Sequence, residues 1–552
     1  MNRPWLNRYD EGVPQSLTYP SLRVFDFLDG AAKRFPRQTC TLYEGHAISY
    51  ARMAELTDQL ARGLIALGLQ KGERVSILLP NLPQYVLAYY AVLKAGGIVS
   101  AMNPAYTARE IEYQIQDSGS VFLIAGESSR ALVEQLSSDL PLRKKIFTAL
   151  EDAFTMQDWY PQPESGLDSH KRTTFTLEEI TRWSFAGMDR KSEVASDDVA
   201  IFQYSGGTTG IPKAAVGLHR NLVANTLQFR AWLSGMEDAR ETALLAIPLY
   251  HVYGMVVGMS VATSMAARMV LIPNPRDLPK LLDAIQTYQV SFFPGVPTLY
   301  ALINQHPLVQ SGEVNLRSIR ACISGSAPLL EEVRVRFESL TGAKLMEGYG
   351  LSEAPTATHC NPMLGEKRPG SIGLPLPDVD CRIVSLEDGE TDLPVGEAGE
   401  LLIRGPQVMQ GYHNRPEETR QTLRNGWLYT GDIARMDEDG YFYVLDRKKD
   451  LIKVSGYQVW PREVEEVIAT HPSVQEVGVA GIPHPVRGEA VKAWVVVKPG
   501  HALSADDIIQ WCKQSLVYYK IPIEVEFLER LPRSTVGKLL RRVLVEQHRR
   551  AA

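Results

Sequence analysis

The chain has 552 residues, 45% of them apolar and 22% charged, with 58 basic side chains against 64 acidic and a net charge of −6. This length predicts three or four compact units with a core that needs no disulfide or metal staple. The near-average composition excludes a disordered, collagenous or coiled-coil chain, and the net charge gives no overall drive toward nucleic acid. Five cysteines lie far apart with no C-x-x-C pair, which fits neither a zinc site nor a disulfide framework and points to a reducing compartment. The N-terminal MNRPWLNRYDEG has no apolar signal segment. The most apolar stretch, Met255–Pro273, is interrupted by Arg268 and is short for a membrane span. A cytoplasmic protein is expected, with peripheral contact at the inner membrane face and a homodimer left open.

Apolar side chains recur at helical spacing over residues 50–67, and Gly68 follows as a stop. A buried strand is predicted at 74–79, a helix at 83–95, a strand at 98–102, a helix at 107–117 and a strand at 121–125. This alternation predicts βαβ units and a largely parallel sheet. The polar, Pro-containing stretch Trp159–Arg172 (WYPQPESGLDSHKR) reads as a surface loop. From Gly370 to about Gly411, short strands between Gly/Pro turns predict an antiparallel β subdomain. At Asp446–Asp450 (DRKKD) the charge reverses: residues 447–552 hold 17 basic and 12 acidic side chains, a net of +5 against −11 for the rest. Residues 1–446 are therefore expected to form a body and 447–552 a small basic domain.

Tyr204–Lys213 reads YSGGTTGIPK, directly after the apolar run Val199–Phe202. Gly206, Gly207 and Gly210 let the backbone approach a ligand and turn its N–H groups toward an anion. Ser205, Thr208 and Thr209 add hydroxyl donors and Lys213 a mobile charge, the equipment for holding a polyphosphate. Eight specified residues in this order occur by chance about once in 10^10 positions. The G-x-x-x-x-G-K-[ST] pattern of P-loop NTPases is not matched.

Other segments are weaker alone. In Glu347–Glu353 (EGYGLSE), Tyr349 between Gly348 and Gly350 can offer its ring to a base, Ser352 can donate to a phosphate, and Glu353 is a hard oxygen ligand suited to Mg²⁺. The same segment also reads as a structural Gly-rich turn. Asp432 in WLYTGD reads as a turn cap or a ribose acceptor. Lys538 in LPRSTVGKLLR and the lysines of DRKKD read as solvated loop charges. His251 in PLYHVYGM reads as a packed core histidine.

Taken together and in this order, these segments resemble adenylate-forming enzymes, the superfamily of acyl-CoA synthetases, luciferases and peptide-synthetase adenylation domains. The resemblance runs from RPWLNRY through GELLIRGPQVMQGY (Gly399–Tyr412) to the terminal lysine motif. It is strongest toward bacterial long-chain fatty-acid CoA ligases. One departure is Ala214, where the family has Gly after the loop lysine.

The resemblance implies an α/β fold: a large N-terminal domain of βαβ subdomains with a small β subdomain, then a small mobile α+β domain hinged at Lys449. It implies ATP and CoA as cosubstrates with Mg²⁺, and a carboxylic acid activated through acyl-AMP. Tyr349 would stack on adenine, flanked by Gly325, Ser326 and Ala327. Ser352 would contact the α-phosphate, Glu353 hold the metal, Asp432 and Arg447 the ribose, and His251 line the acid pocket. Lys538 would be the catalytic lysine between carboxylate and α-phosphate, where one cation offsets the repulsion of two anions. Gly456 would line the thiol tunnel, with Lys453 and Gln458 near the adenylate. A medium-chain or aryl-acid CoA ligase, or a noncatalytic acyl- or nucleotide-binding protein, are the alternatives. The apolar segments Leu249–Gly258 and Phe292–Leu299 suit an acyl tunnel or ordinary core.

Overall fold

The computed structural model describes residues 3–162, 172–183, 193–205, 212–455, 457–534 and 537–551. The predicted alternation is present: helix Tyr50–Ala66, strand Arg74–Leu78, helix Pro83–Lys94, strand Ile98–Ala101, helix Ala108–Ser118 and strand Ser120–Gly126. Local chemistry sets these ends. The Ser49 side chain accepts from the Arg52 amide at 3.2 Å. Thr107 and Glu110 form a reciprocal capping box, and Gly119 closes the same helix at φ +63°.

The chain packs as two compact units. The larger comprises Leu6–Val379 and Arg404–Leu423; the smaller comprises Met1–Trp5, Asp380–Ile403 and Arg424–Ala552.

The larger unit holds two big sheets. In one of eight strands, Val199–Ser205, Ile98–Ala101, Arg74–Leu78, Ser120–Gly126, Lys144–Thr148 and Thr174–Thr176 run parallel. Lys213–Leu218 and Gly411–Tyr412 extend it antiparallel beyond Val199–Ser205. In the nine-stranded sheet a parallel centre runs from Lys344–Leu351 through Ala321–Ser324, Phe292–Gly295, Thr242–Leu245 and Arg268–Leu271 to Thr39–Tyr43. Parallel strands need both faces covered. Helix Pro83–Lys94 accordingly buries eleven of its twelve residues, as a helix inside a core must. The apolar stretch Met255–Pro273 is also core: a π-helical segment Gly254–Ser260, a short helix Val261–Ser264 and strand Arg268–Leu271. Among the described residues, no helix is long and apolar enough to cross a membrane.

The strands between Gly370 and Gly411 do not form one subdomain. Leu374–Pro375 joins the nine-stranded sheet, Gly411–Tyr412 the eight-stranded one, and only Asp380–Val384 and Gly399–Arg404 belong to a small antiparallel sheet with Trp427–Met436 and Phe442–Arg447. Short strands between turns announce themselves in sequence, but their pairing partners lie far along the chain. Residues 380–403 and 424–447 thus pack with the C-terminal segment, across the charge boundary at 446.

The smaller unit adds a five-stranded sheet, ordered Tyr457–Val459, Ile452–Val454, Gly488–Val497, Val474–His484, with Glu524–Phe527 parallel to Gly488–Val497. Helices Pro461–Ala469 and Ala505–Lys513 pack on it around Val464, Ile468, Val479, Val491, Val495 and Ile508.

Candidate active site

In the larger unit, Val199–Ser205 and Lys213–Leu218 are the two arms of a β-hairpin, with Ser205 opposite Lys213 and Tyr204 opposite Ala214. The two described ends of the YSGGTTGIPK motif thus lie on paired strands, with Ser205 at the carboxyl end of a strand in the parallel run, where α/β sheets place ligands. Gly206, Gly207, Thr208, Thr209 and Gly210, and the side chain of Ser205, lie outside the described residues. Lys213 Nζ stands 3.7 Å from Glu418 and 5.6 Å from the centre of the Tyr412 ring. Ala214 is buried in a cluster with Phe202, Tyr204 and Val216, so the methyl that a family glycine would lack is a packing group here.

Ser352 and Glu353 are the two residues of a tight turn joining antiparallel strands Lys344–Leu351 and Ala354–Cys360, with Leu351 opposite Ala354. Gly350 is obligatory in this hairpin, since a Cβ there would lie 1.6 Å from the Thr356 carbonyl oxygen. The Tyr412 hydroxyl donates to Glu353 Oε1 at 2.7 Å, and the Met409 amide donates to the Glu353 carbonyl at 2.8 Å. Burial, reinforced by the Glu353 charge, pushes the Tyr412 hydroxyl well above the usual tyrosine range, so it stays a donor. Tyr412 was not predicted. Its one signal was its place at the end of GELLIRGPQVMQGY.

Gly325 and Ser326 follow strand Ala321–Ser324, beside Lys344–Leu351. A Cβ on Gly325 would stand 3.2 Å from the Tyr253 ring. Tyr253 is held beneath it by hydrogen bonds to the carbonyls of Ile323 (2.7 Å) and Gly295 (3.2 Å). His251 is half-buried two residues earlier, and its Nδ1 accepts from the Tyr253 amide at 3.2 Å. Tyr349 is half-buried with its ring edge-on to His359. Gly325, Ser326, Ala327, Tyr349, Ser352 and Glu353 thus cluster at the carboxyl ends of neighbouring strands. The apolar segments proposed for a tunnel are largely buried; Phe293 and Leu299 belong to the large core cluster.

In the smaller unit, Asp432 and Arg447 face each other across antiparallel strands, with Arg447 Nε 2.9 Å from the buried Asp432 carboxylate. Lys538 is half-buried in a turn where its amide donates to Ser534 Oγ (3.1 Å) and its carbonyl accepts from the Ser534 amide (2.8 Å). Burial, then repulsion from Arg447 and Lys449, lowers its ammonium pKa to about 8; Asp432 and Asp450 partly oppose this. The chain's last motif is thereby brought beside WLYTGD and DRKKD. Lys449 is exposed in the turn after Arg447. Its neighbour Lys448 has a structural partner, the buried Glu400 at 2.8 Å. Lys453 and Gln458 lie directly opposite each other on paired antiparallel strands; Gly456 lies outside the described residues.

The larger unit thus holds the Ser352–Glu353 turn and the arms of the YSGGTTGIPK motif, and the smaller unit holds the cation cluster around Lys538. Residues 28–413 match the family described as AMP-binding enzyme, and 463–538 match the AMP-binding enzyme C-terminal domain. The chain belongs to the AMP-binding enzyme family. A relative named long-chain-fatty-acid–CoA ligase, from Bacillus subtilis (strain 168), is 39% identical over 99% of this chain and 98% of its own length. A protein of the same name from Salmonella typhimurium is 37% identical over 100% and 99%. Among solved structures, ATP-bound MatB from Rhodopseudomonas palustris superimposes with a TM-score of 0.81 at 30% identity, covering 96% of this chain and 99% of that one. The two-domain α/β architecture of this AMP-binding enzyme is that of the family.

Proposed function

We propose that the protein is an ATP-dependent acyl-CoA synthetase that converts a long-chain fatty acid through acyl-AMP to acyl-CoA, releasing AMP and pyrophosphate. The observation that carries the reaction is the convergence of Asp432, Arg447 and Lys538 from three motifs, and the likeness to long-chain-fatty-acid–CoA ligases supports the chain length. In the first half-reaction a carboxylate oxygen attacks the α-phosphorus in line. A new P–O bond forms and the bond to the β-phosphate bridge breaks. No protein nucleophile is needed; positioning and charge stabilisation suffice. Lys538 holds the approaching oxygens, Asp432 accepts from the ribose, Arg447 steadies it, and Lys213 with its loop restrains the leaving pyrophosphate.

Glu353 fits Mg²⁺. It is a single hard carboxylate at a hairpin tip with one oxygen fixed by Tyr412, and Mg²⁺ is usually held by one or two carboxylates plus substrate phosphates. Among the described residues no cluster of three acidic, His or Cys ligands could hold a metal alone. When bound, the ion supplies charge neutralisation at the phosphates.

In the second half-reaction the CoA thiol sulfur attacks the acyl carbonyl, AMP leaves, and the thiol proton passes to solvent. Rotation of the segment after Lys449 withdraws Lys538 and brings up Gly456, Lys453 and Gln458. This divides the chain functionally into 1–446 and 447–552. His251 lines the acid pocket. The site of action is cytoplasmic, with the acid drawn from the inner membrane face.

The test is pyrophosphate release across short, medium, long-chain and aromatic acids, with and without CoA. A maximum for long-chain acids, with thioester formed only when CoA is present, is expected. A preference for aromatic acids would replace the substrate assignment, and ADP release would overturn the reaction.

A further inference from the structure

We propose that Asp117 is a positioning residue for acyl-AMP formation, holding the arms of the phosphate loop against the strand that orients Glu353. The inference rests on the reading of Ser205–Lys213 as that loop. Asp117 sits in the last turn of helix Ala108–Ser118. Its two oxygens are taken by different segments: Tyr204 Oη, in strand Val199–Ser205, donates to Oδ2 at 2.8 Å, and Arg415 Nη2, just before helix Pro416–Thr422, donates to Oδ1 at 2.9 Å. Tyr204 is the residue before the loop. Arg415 lies three residues after Tyr412, whose hydroxyl is bonded to Glu353. One helical turn before Asp117, Tyr113 Oη donates to the Pro212 carbonyl at 2.8 Å, on the loop's other arm.

Residues four apart share a helix face, so one face of Ala108–Ser118 grips both arms of the hairpin. The Asp117 side chain is only 10% exposed, where its bonds to Tyr204 and Arg415 are sheltered from water. The need for such a clamp follows from the loop's composition: three glycines lose more conformational freedom on ordering than any other residues. Anchoring both arms, at Tyr204 and Pro212, offsets part of that cost. It also sets the distance between Lys213, at the pyrophosphate, and Glu353, at the metal. In-line transfer is sensitive to shifts of about 1 Å in such groups.

The experiment compares Asp117→Ala, Asp117→Asn and Tyr204→Phe in the full chain, with Lys213→Ala as the control for the loop itself. Each is assayed for ATP KM and kcat in pyrophosphate release, for thioester formation from supplied acyl-AMP, and for melting temperature. Asp117→Ala is expected to lower kcat/KM for ATP by about thirtyfold or more, with thioester formation from acyl-AMP within about twofold of the parent. Asp117→Asn, which keeps one acceptor, should recover part of the loss, and Tyr204→Phe should show the same pattern more weakly. If Asp117→Ala does not fold, Tyr204→Phe and Tyr113→Phe, each lacking one hydroxyl, decide the matter. Unchanged ATP kinetics in the folded Asp117 and Tyr204 variants would overturn the proposal, as would equal loss of both half-reactions. A defect in Lys213→Ala beside normal Asp117 variants removes only the positioning role, whereas normal ATP kinetics in Lys213→Ala removes the loop reading beneath it.

Discussion

The charged groups of the larger unit and those of the smaller one are balanced in different ways. Around the hairpin tips of the larger unit, Lys213 has Glu418 and the Tyr412 ring, while Glu353 has the Tyr412 hydroxyl. Around Lys538, three cations (Arg447, Lys449 and Lys538) share Asp432 and Asp450, and the excess of positive charge with burial lowers the lysine to about 8. The first cluster is held in position by its own partners. The second is a cation kept at a cost by burial and like charge, which on the proposed reading the phosphates of ATP would relieve.

The largest expected effect is at the strained cation. Lys538→Ala should slow acyl-AMP formation by about a thousandfold while sparing thioester formation from supplied acyl-AMP; equal loss of both steps would erase the distinction between the clusters. Lys449→Pro should do the reverse, slowing the second half-reaction by about tenfold or more because Pro fixes φ at the proposed hinge. Normal thioester formation in that variant would count against rotation there.

The pH dependence follows from the same contrast. A lysine lowered to about 8 is charged below that pH and neutral above it. Hence kcat/KM for ATP in the first half-reaction should fall by about tenfold per pH unit above about pH 8. Lys538→Arg should abolish this alkaline limb at whatever activity it retains, since Arg stays protonated; an unchanged limb would assign it to another group. Tyr412→Phe removes one hydrogen bond to a charged group and should cost about tenfold in acyl-AMP formation, with a raised Mg²⁺ requirement as the telling readout. Smallest is Lys448→Ala: it takes the cation from buried Glu400 and should lower the melting temperature by about 2–4 °C with both half-reactions intact.

Much of this was legible in the residues. The helices and strands from 50 to 126 follow from apolar period and from the stop signal at Gly68. The motif Tyr204–Lys213 stands out in sequence because glycines, hydroxyls and a lysine in one run have few other uses, and its stretch 206–211 lies outside the described residues. Tyr412, Tyr253, Tyr113 and Asp117 were not, because an isolated tyrosine or aspartate has many ordinary roles and its partner is set by packing. Lys448 and Lys449 look alike in DRKKD and both lie exposed in the turn, and only the fold shows that Lys448 is tied to the buried Glu400.

The sequence by itself determined the class of fold, the order of the motifs and the chemical type of each candidate group, since periodicity and side-chain chemistry are local properties. Tertiary structure alone decided which strand pairs with which between Gly370 and Gly411, and that residues 380–403 and 424–447 pack with the C-terminal segment. It alone set Glu353 under a tyrosine 59 residues away and lowered the Lys538 ammonium to about 8. Hydrogen bonds across sheets, burial and the summed field of neighbouring charges depend on distance in space, and distance along the chain does not encode them.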